Sequence, residues 1–224
     1  MKKARGAWTW ALGLVVVVFV AFSVPPYLSG GTRVPAPEGN AWHYPVLVGH
    51  VLFGSIAILT CVVQVWPWFR RRFPVWHRWV GRVYVFGGVL PAGITAVSVG
   101  AVSPFGPVNQ VGNVLMGSLW LGFTVAGWWN GKQRRFGAHR RWMVRSFALT
   151  ASIISNRVWA VVTTIVFTPR LDSAFGGSEI ALGQAIAGTT SWLGWVLPLV
   201  LSQWWLDRAK PRGAVPREAP AARG

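Results

Sequence analysis

Six apolar runs, each long enough to cross a bilayer, leave this chain few ways to fold. A spanning helix takes about 20 mainly apolar residues. Such runs lie at roughly residues 7–25, 45–66, 79–101, 109–130, 143–167 and 180–206. The connections between them alternate in charge. Lys2, Lys3 and Arg5 precede the first run, and the next connection has only Arg33, set against Glu38. Arg70, Arg71, Arg72 and Arg78 follow the second run, whereas the turn at residues 103–107 is uncharged. Lys132, Arg134, Arg135, Arg140, Arg141 and Arg145 follow the fourth run, and Arg170 faces Asp172 and Glu179 after the fifth. Arg208, Lys210, Arg212, Arg217 and Arg223 follow the last. Cation-rich connections mark the cytoplasmic side of a membrane. The pattern predicts an all-α polytopic helical membrane bundle of six transmembrane helices. Both termini are expected in the cytoplasm, spans two to five form the core, and the location is the cell inner (plasma) membrane.

Composition agrees. Of the 224 residues 53% are hydrophobic and only 12% charged, far from the balance of a soluble domain. A net charge of +17 would suggest nucleic acid in a soluble protein. Here the cations sit in blocks between apolar runs, so topology explains them, and the expected partner is the lipid bilayer rather than nucleic acid. Residues 1–210 read as a single transmembrane domain. Residues 211–224, rich in Pro, Ala, Arg and Gly, read as a disordered basic tail. The first run reads as an uncleaved span, because no small-x-small cleavage site precedes Pro25-Pro26. The lone Cys61 excludes an intrachain disulfide, and no C-x-x-C or H-E-x-x-H metal spacing occurs. Trp66, Trp68, Trp76, Trp79, Trp128, Trp129, Trp142, Trp204 and Trp205 cluster at the basic ends of the runs, the depth that amphipathic rings favour.

Two stretches stand out. Residues 132–146, K-Q-R-R-F-G-A-H-R-R-W-M-V-R-S, have a looser copy at residues 70–84, R-R-R-F-P-V-W-H-R-W-V-G-R-V-Y. Each carries a basic block into His-Arg, then an arginine, then an apolar run, so spans two–three and four–five read as a weak parallel repeat. The helix dipole favours anions near both histidines. His77 and His139, with Arg78, Arg82, Arg140 and Arg145 beside them, suit phosphate, a lipid headgroup or haem propionates. Two histidines at one level also suit the two axial ligands of a b-type haem. Carbonyl-bonded residues of an interfacial turn remain the plainer alternative.

Span five carries a second signal. On a helical wheel at about 100° per residue, Ser146, Thr150, Arg157 and Thr164 share the face of His139. Arg145, Ser152, Asn156 and Thr163 form a second stripe about 120° round. A lipid-facing helix would not carry both, so span five is expected to face the bundle interior. Arg157 falls roughly 21 Å into the span at 1.5 Å per residue, and all five acidic residues lie in connections, span ends or the tail. The guanidinium must therefore reach Asp172 or Glu179, use backbone carbonyls, or meet an anion that is not protein. In span two, His43, His50, Ala57 and Gln64 recur every seven residues, with Gly54 and Cys61 interleaved. This face suits either close packing through small residues or a groove with His50 near its mouth. His50 falls at a depth similar to that of Arg157, which suggests one shared outer pocket.

The motifs H-V-L-F-G-S at His50, H-R-W-V-G-R-V-Y at His77 and H-R-R-W-M-V-R-S-F-A-L at His139, followed by Asn156-Arg157, resemble a bacterial membrane family catalogued as domain of unknown function 2306. The likeness covers spans two to five, roughly residues 46–165, and implies a multi-span membrane protein without implying an activity. The general expectation is an uncharacterised membrane protein that binds a small ligand within the bundle, and three readings stay open. One is a redox protein with haem b on His77 and His139, and another a transporter or binder of an anionic or amphipathic molecule using Arg157 and His50. The third is a structural or assembly component without a ligand of its own. An enzyme is disfavoured, since no carboxylate is available as a base in the core and no nucleophile–base pair can be read from the spacing. The oligomeric state stays open.

Overall fold

The computed structural model describes residues 4–31, 37 and 39–208. Arg33, Glu38 and the tail at 211–224 lie outside the described residues. The chain forms helices α1 (Ala4–Ser23), α2 (Pro25–Leu28), α3 (His43–Val65), α4 (Pro67–Arg72) and α5 (Pro74–Arg82). A π-helical stretch, Val83–Val89, leads without a break into α6 (Leu90–Ala101). Then come α7 (Gly106–Lys132), α8 (Phe136–Phe167), a 3-10 turn at Thr168–Arg170, α9 (Leu171–Phe175) and α10 (Glu179–Arg208). Six of these helical stretches are long and apolar enough to cross a membrane, as the six runs predict.

Short connections make successive spans antiparallel. The turns at residues 66–73 and 133–135 and the C-terminal end of α10 therefore share one end of the bundle, called here the basic end. Around the middle, α3 packs on the π stretch and α6, α6 on α7, and α7 on α8. Helix α1 adds to α3 from outside, and Thr9 and Val16 are buried on it. The most extensive helix pairing is α8 with α10, and α10 also touches α7. Span six is thus part of the core, to which it contributes Trp195. Aliphatic side chains such as Val17, Ile94, Val111, Val161 and Leu201 remain exposed, as an exterior facing lipid requires.

Lipid tails are as apolar as leucine, so packing rather than the hydrophobic effect holds such helices together. The small-residue face of α3 serves this need. A Cβ on Gly88 would stand 2.8 Å from the Cα of Ala57, so the two backbones approach as closely as glycine permits. Val97 lies against Gly117 in the same way, and Asn156 against Gly194. The π stretch has a local cause. Pro91 cannot donate a backbone hydrogen bond and its ring crowds the carbonyl four residues earlier, so the preceding turn widens. The Leu90 N–H reaches back to the Val85 carbonyl accordingly. The widened turn points Tyr84 into the core while laying Gly88 on Ala57.

Gly88→Leu is expected to force α3 and the π stretch apart and to lower stability by about 1–3 kcal/mol. Thermal unfolding in detergent micelles would read this; an unchanged midpoint would refute the close approach.

Candidate functional site

Both histidine loops build the same local structure. Phe73 precedes Pro74, the first residue of α5, and Arg135 precedes Phe136, the first residue of α8. His77 and His139 are each the fourth residue of their helix, with backbone N–H groups bonded to the Phe73 and Arg135 carbonyls, both at 2.9 Å. The turn before α8 is tight, with Arg134 in the left-handed region at φ 59°. The two imidazoles lie near enough for the charge on one to act on the other, and Arg70 is within the same reach.

The two rings are bonded differently. His139 Nδ1 lies 2.8 Å from the Gly127 carbonyl on α7. A carbonyl only accepts, so Nδ1 carries a proton, and in the neutral ring the lone pair is on Nε2. Gly131 makes room for this ring, since a Cβ there would stand 2.9 Å from Nδ1. His77 is held through its backbone instead, its carbonyl accepting from Gln64 Nε2 at 2.9 Å. Its own Nδ1 is buried without a hydrogen-bond partner.

The surrounding cations divide. Arg145 Nη2 and Nε donate to Gln203 Oε1 at 2.7 and 3.1 Å, and its guanidinium lies 4.8 Å from the Trp142 ring centroid. Arg145 thus ties α8 to α10 as well as lining the basic end. Arg82 is exposed and stacks 4.7 Å from Trp79, while Arg140 reaches Trp205 at 4.9 Å. Lys132 over Trp128 and Arg208 over Trp204 continue the pattern. Tryptophan and cation together form the belt expected at a membrane interface.

The outer candidates do not form a shared pocket. His50 Nδ1 donates to the Ala92 carbonyl on α6 at 2.9 Å. Arg157 is exposed on α8 and has no hydrogen bond or ion pair among the described residues, with Asp172 and Glu179 included. The expectation that span five turns its whole polar stripe inward therefore needs correction. Ser146 and Thr150 are buried, but Arg157 and Thr164 on the same stripe are exposed. The second stripe takes over in the outer half. There Thr163 Oγ1 meets Thr190 Oγ1 at 2.9 Å and Asn156 Nδ2 donates to the Thr190 carbonyl at 3.3 Å. The cause is the loss of one neighbour, since α10 follows α8 from Trp205 and Gln203 at the basic end to Thr190 further out, whereas the polar contacts of α8 with α7 and Tyr84 are confined to its inner half.

A site that sequence reasoning missed lies between the histidine pair and the membrane centre. The Tyr84 hydroxyl, 1% exposed, sits 2.6 Å from Ser146 Oγ and 2.7 Å from Thr150 Oγ1. Trp120 Nε1 donates to Thr150 Oγ1 at 2.9 Å, and Thr124 Oγ1 lies 2.6 Å from Ser146 Oγ. Thr124 and Thr150 also reach the carbonyls of Trp120 and Ser146. Five hydroxyl or indole hydrogens thus serve six contacts, so one contact always lacks a proton of its own. The Cys61 thiol lies beside Tyr84 and Thr150. The available signal was the polar stripe of span five together with a tyrosine seven residues after His77.

Among comparisons with known proteins, a family model described as a predicted membrane protein (DUF2306) matches residues 47–206. The match runs through span six, further than the resemblance read from the motifs, and this agrees with the place of α10 in the core. No curated protein and no solved structure matches the chain.

Tyr84→Phe removes one hydroxyl but leaves Ser146 and Thr150 with other partners, so it is expected to cost about 0.5–1.5 kcal/mol. Thr150→Val also leaves the Trp120 indole N–H unmatched, at about 1–3 kcal/mol. Unfolding of both variants in one detergent would test the order; the reverse ranking would contradict the network.

Proposed function

We propose that this chain, which belongs to the DUF2306 family of predicted membrane proteins, binds a small anionic ligand at the basic end of its bundle, between His77 and His139. The observation that carries this reading is the pair of neighbouring imidazoles among arginines, one with a free Nε2 and the other with a buried Nδ1 that lacks a partner. Asn40 Oδ1, His43 Nε2 and Trp195 Nε1 are also buried without a partner among the described residues, and His77 Nδ1 is the one of the four at the basic end. Arg70, Arg78 and Arg140 supply the positive field, and the dipoles of α5 and α8 add to it.

One observation favours haem b as the occupant. Metal-bound imidazoles commonly donate their other ring N–H to a carbonyl, which fixes the tautomer and the ring plane. His139 already does so towards Gly127. In this reading His77 and His139 would hold the iron, and Arg78, Arg82 and Arg140 would hold the propionates. Bound haem would supply one-electron transfer. The protein's own part is to fix the two rings and to screen the site with the tryptophan belt. The chain would sit in the cytoplasmic membrane with its basic end inside, as the distribution of cations supports.

Two experiments test this. Protein purified from a haem-replete host is expected to show a Soret band that is lost in His77→Ala and in His139→Ala and kept in Arg157→Ala. A colourless protein whose melting point still rises with a phosphate-bearing anionic lipid would leave the anion site without haem. Neither band nor shift would overturn both. For orientation, an impermeant thiol reagent is expected to label Ser178→Cys in intact cells and Gln133→Cys only after permeabilisation. The opposite pattern would invert the topology.

A further inference from the structure

Arg157 is the one candidate residue whose charge is answered neither by the rest of the described chain nor by a headgroup layer. It is exposed on α8 and has no partner among the described residues. Arg145, at the basic end, lies 12 residues before it, and α8 ends at Phe167, 10 residues after it. At 1.5 Å per residue these spacings are roughly 18 and 15 Å. With Arg145 at the depth of the inner headgroups, a core of about 30 Å leaves about 12 Å to the outer ones, beyond the reach of an arginine side chain, so snorkelling does not satisfy the guanidinium. A charge at this depth of hydrocarbon costs about 2.5 kcal/mol or more.

The surface around it is otherwise apolar. Val158, Val161 and Ile165 are 60, 59 and 68% exposed, and Thr164 is exposed as well. Further in, the flank of α8 is covered: Phe147, Ala151 and Ile154 meet Leu12 and Val16 of α1 around a small cavity. The open face thus continues a helix-packing surface that is already in use.

We infer that this outer face of α8, with Arg157 at its centre, docks a transmembrane helix of another polypeptide that carries an aspartate or glutamate at mid-membrane depth. The carboxylate follows from charge complementarity, because in hydrocarbon an ion pair is the solution open to a guanidinium that backbone does not satisfy. A different polypeptide follows from composition. The five acidic residues of this chain, Glu38, Asp172, Glu179, Asp207 and Glu218, all lie in connections, at span ends or in the tail. A second copy would therefore bring no carboxylate to this depth.

A photocrosslinking residue in place of Val161, in the full chain in its native membrane, tests this. The expected adduct is a second polypeptide, joined through a membrane segment that contains Asp or Glu. Its yield should fall about tenfold or more in Arg157→Leu, persist in Arg157→Lys, and fall again when the partner's acid is changed to Leu. The same probe at Val111, exposed on α7, should give no such adduct. Purified Arg157→Leu should melt no lower than the parent, which separates loss of docking from loss of fold. Adducts only to lipid, to a second copy, or to a segment without an acid would overturn the inference. So would an adduct indifferent to Arg157→Leu, or a lower melting point for that variant.

Discussion

Water is scarce in the middle of a bilayer, so a polar group there must find its partner inside the protein. In this bundle that constraint centres on the Tyr84 hydroxyl. Around it, contacts from α7, α8 and the π stretch converge within 2.6–2.9 Å. Each of these side chains would be a liability on a helix alone in lipid. Together they satisfy one another and so specify which faces of the three segments meet. The widened turn before Pro91 allows the tyrosine to point inward while Gly88 lies on Ala57. A second set of polar contacts acts at the other end, where Asn109 Nδ2 donates to the Ala187 carbonyl and Ser191 Oγ to Asn113 Oδ1, seating α10 on α7.

The cations meet the same constraint in two ways. At the basic end Arg82, Lys132, Arg140 and Arg208 lie over indole rings and Arg145 bonds to Gln203, with the interface close by. This satisfies part of the charge that makes this end conspicuous. Beside them stands the histidine pair, in which His77 Nδ1 is buried without a partner. Arg157 meets no such solution and lies within a span rather than at the basic end, which separates it from the arginines there. The two places of interest therefore lie on different parts of the molecule, one at an end of the bundle and one on its outer wall.

Particular residues show how far the sequence could be read. Run lengths predicted six helices long and apolar enough to cross a membrane, because hydrocarbon thickness sets such runs and little else can house them. His77 and His139 were legible as a pair because their loops repeat in sequence, and the repeat reappears in their shared place as fourth residues of α5 and α8. Arg157 was legible as an anomaly but not in its direction. A helical wheel assigns one azimuth to a stripe along the whole helix, whereas the neighbours of α8 change along its length. His50 was read as the mouth of a groove, yet its ring is turned to the Ala92 carbonyl, which periodicity cannot reveal.

The sequence alone determined the number of spans, the end at which the cations gather, and the supply of hydroxyls and small residues. These follow from composition over stretches of about 20 residues, the scale on which a bilayer selects. Tertiary structure decided which of those groups meet. Tyr84 reaches Ser146 across 62 positions of chain, and Arg145 reaches Gln203 across 58. Contacts at that separation depend on the azimuth and crossing of whole helices, and a π turn of seven residues is enough to reset them. For the same reason Arg157, on the stripe that buries Ser146 and Thr150, ends on the outer wall.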